Sequence, residues 1–295
     1  MKLDFIVSGF AKCGTTTICS LLDDHPDICI SEDKEPNFFS HEYDRGWQWY
    51  DTLFKESHSG QLRGEGSTVY SNISFAAQAC ERIARDCPEV RLIFMVRNPI
   101  ARLEAAYREI HNIGYFLYGL EAPYSLEAAV KMIPAMVKNS LYWRNINVYR
   151  QRFSDDQIHI MFLEDFVKHP TRELNHCLKF IGADTSIPIP QVRRRLNPGS
   201  AKLYDARLLR TLRRVTPFKL VWDQLDFTKQ NDLGQRLGLR RRFQGPIVWA
   251  EGLREEIVRQ TYEDSCQLLD FCQKPRSLWE LPHRASSFVN HSRAA

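Results

Sequence analysis

No stretch of this 295-residue chain carries the roughly 18 consecutive apolar residues that a membrane-spanning helix needs, so no span is expected. The charge balance is slight. A net charge of +4 lacks the basic excess of a nucleic-acid-binding surface, yet it suits an enzyme that handles anionic ligands. Eight cysteines occur, but none forms C-x-x-C and most sit in apolar contexts. That pattern excludes a disulfide framework and a cysteine zinc site, and it points to reduced thiols. His41, His111 and His169 show no ligand spacing and read as surface or capping histidines, so no metal is expected. Internal repeats and low-complexity tracts are absent. No basic leader with an apolar run opens the sequence, because Met1 leads almost directly into an apolar strand; a cytoplasmic protein is expected. With 43% hydrophobic and 26% charged residues, the chain can bury a sizeable core.

The most informative segment runs from Asp4 to Thr17. An apolar strand ends in a glycine turn, and Lys12, Gly14, Thr15, Thr16 and Thr17 precede the amphipathic run Ile18 to Leu22. Such a strand–loop–helix unit turns backbone N–H groups and a helix N-terminus toward an anion, and a lysine adds full charge. A Walker A loop has its lysine directly after the second glycine. Here Lys12 comes two residues before Gly14, so the loop fits a phosphate without the magnesium geometry of a nucleotidase. Cys13 lies inside this loop, where positive surroundings would lower its pKa; the alternative is a small residue that fills the loop.

Apolar, β-branched runs predict strands at Leu3–Ser8, Ile28–Ile30, Leu62–Glu65, Leu92–Val96 and Ile158–Phe162. Helices are predicted at Thr16–Asp23, Trp47–Phe54, Ser74–Asp86, Ile100–His111, Val137–Phe153, Thr171–Ile181 and Gly252–Phe271. The alternation predicts an α/β fold: one domain over residues 1–295, with a central parallel sheet of four to five strands flanked by helices. Residues 188–245 carry two arginine triplets and an Asn-Pro-Gly turn, and read as an irregular insert or flap on that domain. Ligands of such sheets gather at the carboxyl ends of the strands, here Gly9, Glu65-Gly66-Ser67 and Arg97.

Two further segments carry chemistry. Glu35, in Lys34-Glu35-Pro36-Asn37-Phe38-Phe39, sits beside a proline and two aromatics, where partial burial would raise its pKa toward base duty; the alternative is a surface carboxylate. Arg97 follows a buried strand, and Pro99 then starts a helix. That places Arg97 for a second phosphate, or for a salt bridge tying strand to helix. No aspartate ends the fourth strand, so a Walker B carboxylate is missing.

Together these segments resemble the sulfotransferases that use 3′-phosphoadenosine-5′-phosphosulfate (PAPS). The resemblance covers most of the chain and is closest to the heparan-sulfate amine and 3-hydroxyl branch and its bacterial relatives. Gly9 to Thr16 looks like that family's 5′-phosphosulfate loop, and Lys34 to Phe39 is similar to the segment bearing its catalytic glutamate. Glu65-Gly66-Ser67-Thr68-Val69-Tyr70 resembles its E-K-S-P-x-Y element, and Arg97 to Arg102 its 3′-phosphate motif. The resemblance implies a phosphate-loop, nucleotide-kinase-like fold and sulfuryl transfer to a hydroxyl or amine of a carbohydrate or small metabolite. It implies Glu35 as base and Lys12 as stabiliser of the leaving phosphate. Lys12, Cys13, Gly14, Thr15, Thr16, Thr17 and Arg97 would hold the donor, and no metal would be required. The family lysine is Gly66 here, and the serine eight residues after the arginine is Ala105. Arg102, Ser140 and Arg193–Arg195 are the candidates to replace that serine, and Ser140 is taken with the donor site. The alternatives are a small-molecule kinase and a non-catalytic nucleotide-binding protein. Trp47, Trp49, Tyr50 and Tyr70 are either acceptor-stacking surfaces or core packing.

Overall fold

β1 (Phe5–Gly9) is buried along its whole length, as an apolar run covered on both faces must be. The computed structural model describes residues 3–189 and 199–281. After β1 come α1 (Thr15–Asp23), β2 (Ile28–Ile30), α2 (Gly46–Thr52), β3 (Leu62–Glu65), α3 (Ala76–Asp86) and β4 (Arg91–Val96). Then follow α4 (Pro99–Tyr118), α5 (Leu126–Met132), α6 (Ala135–Lys138), α7 (Tyr142–Arg150), β5 (Ile158–Phe162), α8 (Leu163–Lys168) and α9 (Pro170–Ile181). β6 (Leu203–Asp205), α10 (Arg207–Leu212), α11 (Thr216–Asp223), α12 (Phe227–Arg236), β7 (Arg240–Arg242) and α13 (Leu253–Phe271) complete the order.

Five strands form one sheet in the order β2-β3-β1-β4-β5. Every pairing is parallel, with Phe5 opposite Gly64, Ile6 opposite Leu92 and Val96 opposite Phe162 in register. The expected α/β architecture with a five-stranded parallel sheet is therefore present. Parallel order has one consequence for function: the strands all end at the same edge, which gathers their following loops there.

The chain divides into two compact units. Met1–Arg102, Val137–Leu196 and Glu255–Ala295 form the first, and Leu103–Met136 with Asn197–Arg254 the second. The first unit holds the sheet and a core built on β1, β4, α1 and the aromatics Phe38, Phe39, Tyr50 and Tyr70. The second has its own small core of Leu209, Trp222 and Leu239, and an antiparallel β6–β7 pair. Its segment up to residue 245 was expected to be irregular, yet it carries three helices and the β6–β7 pair. The pair closes because Asp205 bonds both Arg213 and Arg240, all three of them buried. His111 also departs from the surface reading. It is buried, its Nε2 donates to the Pro123 carbonyl at 3.1 Å, and burial pushes its pKa down to about 4. Arg193–Arg195 lie outside the described residues.

One expected helix, Val137–Phe153, is broken. α6 ends at Lys138 and α7 starts at Tyr142. Asn139 Oδ1 accepts the Ile73 N–H at 3.0 Å, and Ser140 Oγ accepts from Arg102. Asn and Ser are weak in helix interiors because their side chains compete for other partners, and here both find them.

Candidate active site

Gly14 opens α1 in the left-handed region, at φ 97°. A Cβ there would also meet Leu163 Cδ1 at 2.9 Å, so the position requires glycine. An α-helix leaves its first N–H groups without intrahelical acceptors, and in α1 the first two are those of Thr15 and Thr16. The N–H of Cys13 bonds the Phe10 carbonyl at 3.1 Å, and that of Thr17 bonds the Gly14 carbonyl at 3.0 Å. Those two of the expected donors are thus spent on the shape of the loop. Lys12 also adopts a positive φ, 71°, which is costly for a residue with a Cβ. Strain of this kind collects at functional positions, and here it falls on the one lysine of the loop.

Cys13 is fully buried, with its Sγ 3.7 Å from the Tyr142 hydroxyl. Burial pushes its pKa up to about 11, against the pull of Arg102 and Arg97. The lowered pKa that the positive surroundings suggested does not arise, because desolvation outweighs them. The buried thiol fills the loop.

The pull on Cys13 also locates two arginines. Arg97, just past β4, is half-buried. Among the described residues its guanidinium has no ion-pair or hydrogen-bond partner, so the strand-to-helix salt bridge is not made. It stands available beside the N-terminus of α4. Asn98 caps that terminus, with Oδ1 accepting from the N–H groups of Ile100 (2.9 Å) and Ala101 (3.2 Å). Arg102 is buried. Its Nε donates to the Ala11 carbonyl and its Nη1 to Ser140 Oγ, each at 3.2 Å. Of the candidates to replace the missing serine at Ala105, the structure brings Arg102 and Ser140 to the loop as a pair.

Glu35 lies on the segment after β2. Its side chain is 39% exposed, not the half-buried carboxyl suggested by its aromatic neighbours. Lys34 Nζ donates to Oε1 at 2.6 Å, and Thr68 Oγ1 donates to Oε2 at 2.9 Å. The aromatics turn inward instead. Phe38 stacks on Tyr50 with centroids 4.4 Å apart, and Trp47 meets Phe38 edge-on at 5.1 Å. Tyr50 and Tyr70 are fully buried, which removes both from the list of acceptor-stacking surfaces.

Beneath this segment is a group that the sequence marks as a polar strand end and as the first residue of the E-K-S-P-x-Y-like element. Glu65, fully buried at the end of β3, accepts from Tyr50 (3.0 Å), Tyr70 (2.8 Å) and Ser67. Ser67 Oγ in turn accepts the Asn37 N–H at 2.9 Å, and the Tyr70 hydroxyl accepts the Phe39 N–H at 3.1 Å. One carboxyl group therefore fixes residues 37–39 through two hydroxyls. Burial pushes its pKa up to about 7, with the three hydroxyl donors pulling it back down and nearby Glu35 raising it. Only the Glu-x-Ser-x-x-Tyr spacing hints at this network in the sequence.

Among the described residues, no group of three or more His, Cys, Asp or Glu side chains is placed to hold a metal ion. No helix among them is long and apolar enough to cross a membrane.

The sulfotransferase domain model matches residues 2–198. Mouse heparan sulfate glucosamine 3-O-sulfotransferase 6 is 35% identical over 105 residues, covering 35% of this chain and 29% of that protein. Human heparan sulfate glucosamine 3-O-sulfotransferase 5 is 25% identical over 186 residues, covering 60% of this chain and 52% of that protein. The chain thus spans between 29% and 52% of the length of these two curated relatives. The crystal structure of a sulfotransferase from Alicyclobacillus acidocaldarius shares the fold, with a TM-score of 0.63 at 19% identity over 95% of this chain and 99% of that one. The chain belongs to the sulfotransferase domain family.

Proposed function

We propose that this protein transfers a sulfuryl group from PAPS to a hydroxyl or amine of a carbohydrate or small-metabolite acceptor. One observation carries this: a lysine-bearing phosphate loop, an arginine with no partner among the described residues, and a carboxylate all follow strands that end at the same sheet edge. The donor has two anionic ends that suit two of these groups. The N–H groups of Thr15 and Thr16 with Lys12 suit the 5′-phosphosulfate, and Arg97 suits the 3′-phosphate.

Glu35 would take the proton of the acceptor group as its oxygen or nitrogen attacks sulfur. The bond from sulfur to the bridging oxygen breaks, and its electron pair stays on the 5′-phosphate. Lys12 and the start of α1 stabilise that charge as it forms, and adenosine 3′,5′-bisphosphate leaves. Such a displacement asks the protein for positioning and charge stabilisation more than for covalent work. The named relatives act on the 3-hydroxyl of a glucosamine, which favours a sugar hydroxyl as acceptor. The free state of all eight cysteines fits a reducing compartment, in line with the cytoplasmic expectation.

The test is transfer of labelled sulfate from PAPS to a panel of glucosamine oligosaccharides and small hydroxyl compounds, with EDTA present. Transfer under these conditions supports the proposal. Phosphate transfer that needs Mg-ATP, with no use of PAPS, would instead support a kinase.

A further inference from the structure

Given that reading of the site, we infer that Lys34 and Thr68 are the positioning residues of Glu35, and that Lys34 supplies the cation which the chain lacks at Gly66. The observations converge on the backbone around residue 66. The Gly66 N–H donates to the Lys34 carbonyl at 3.0 Å, and Lys34 Nζ donates back to the Gly66 carbonyl at 3.3 Å. Lys34 therefore grips residue 66 from both sides. The space that a side chain at 66 would need is already taken. A Cβ there would meet Cys19 Sγ at 2.5 Å and Lys34 Cε at 3.6 Å, and Cys19 is buried on α1. A lysine cannot enter at 66 while Cys19 and Lys34 stay where they are. The ammonium of Lys34 stands there instead and reaches Glu35 Oε1 at 2.6 Å.

Thr68 completes the hold. It stands where the similar E-K-S-P-x-Y element has proline, which carries no donor. Its hydroxyl gives Glu35 Oε2 a 2.9 Å bond. Each carboxylate oxygen thus has one donor, and the two bonds together restrain the orientation of the group. Acceptor oxygens carry two lone pairs, so each Glu35 oxygen can still take a proton from a substrate hydroxyl. An exposed pair such as Lys34 and Glu35 contributes little to stability. Its value is orientation, since misplacing a base by about 1 Å can cost on the order of 10² in rate.

The experiment uses the full chain, PAPS, and whichever glucosamine oligosaccharide the wild type sulfates. Thr68→Val keeps shape and loses the donor; Thr68→Ser keeps the donor. Lys34→Met and Lys34→Arg form the second pair. Thr68→Val and Lys34→Met should each lower kcat by roughly ten- to hundredfold while leaving donor KM and adenosine 3′,5′-bisphosphate affinity within about twofold. Thr68→Ser should recover most of the Thr68→Val loss. In a Glu35→Gln background neither Thr68→Val nor Lys34→Met should lower kcat further, since nothing is left to orient. Wild-type kcat in Thr68→Val and Lys34→Met, or equal losses with and without Glu35, would overturn the assignment while leaving sulfuryl transfer intact. Absence of transfer by the wild type would remove the underlying reading itself.

Discussion

Arg102 Nε donates to the Ala11 carbonyl at 3.2 Å, so an arginine of α4 braces the phosphate loop from the side. The same guanidinium reaches Ser140 in the gap between α6 and α7. Arg102→Met keeps much of the volume and leaves both acceptors unmet, at a cost of about 1–3 kcal/mol. Adenosine 3′,5′-bisphosphate binding should weaken along with stability, and Arg102→Lys should not restore it, because lysine lacks the planar fork whose separate Nε and Nη1 reach the Ala11 carbonyl and Ser140. Denaturant unfolding and calorimetry check this. Wild-type affinity in Arg102→Met would separate the brace from the donor site.

In the proposed reaction Lys12 faces charge that develops during transfer. Lys12→Ala should therefore lower kcat on the order of 10²–10³, as loss of other oxyanion donors does. The melting temperature should change little, since Lys12 lies on a partly exposed loop. Activity within a few-fold of wild type would take the lysine out of the chemistry.

In the proposed reaction Arg97 faces the 3′-phosphate, whose charge is present throughout. Arg97→Ala should raise donor KM by roughly ten- to hundredfold and leave kcat nearly unchanged. The variant should also lose the preference for adenosine 3′,5′-bisphosphate over adenosine 5′-phosphate in calorimetry. An unchanged preference would move the 3′-phosphate contact to Arg102 and Ser140.

Glu65 gives a pH signature of the fold. Its pKa rises from an ordinary 4.5 to about 7 on burial, so the folded state holds a proton that the unfolded chain releases. The contribution to stability is full below pH 4.5 and is lost as pH rises through about 7. The shift corresponds to about 3 kcal/mol across that window. Unfolding free energies of wild type and Glu65→Gln, measured at pH 4.5, 6 and 8, should converge or cross as pH rises. A constant difference between them would show that Glu65 does not titrate in this range.

The strands were legible because β1, β4 and β5 carry apolar runs, and the edge that collects their ends follows from parallel order. Lys12, Glu35 and Arg97 could be picked out for the same reason: each follows a strand. What the sequence hid was longer in range. Asp264 of α13 accepts the N–H groups of Trp143 (3.0 Å) and Arg144 (2.8 Å) and so starts α7, a cap no local pattern announces. β7 reads as a basic loop because its residues are all arginine. Only Arg240 is buried, against Asp205, and its charge conceals that inward position from a hydrophobic pattern. The setting of Glu35 is concealed in a related way. Its aromatic neighbours signalled burial, but they pack against Tyr50 and each other and leave the carboxylate outside.

The most direct measurement of the central claim is single-turnover transfer by Glu35→Gln beside its melting curve and its affinity for adenosine 3′,5′-bisphosphate. Gln keeps the size of the side chain and cannot accept the proton. If this edge is a sulfuryl-transfer site with Glu35 as base, binding and melting stay near wild type while transfer falls by ~10²–10⁴. If the variant melts early and yet transfers sulfate at the wild-type rate, Glu35 is a structural carboxylate and the base lies elsewhere.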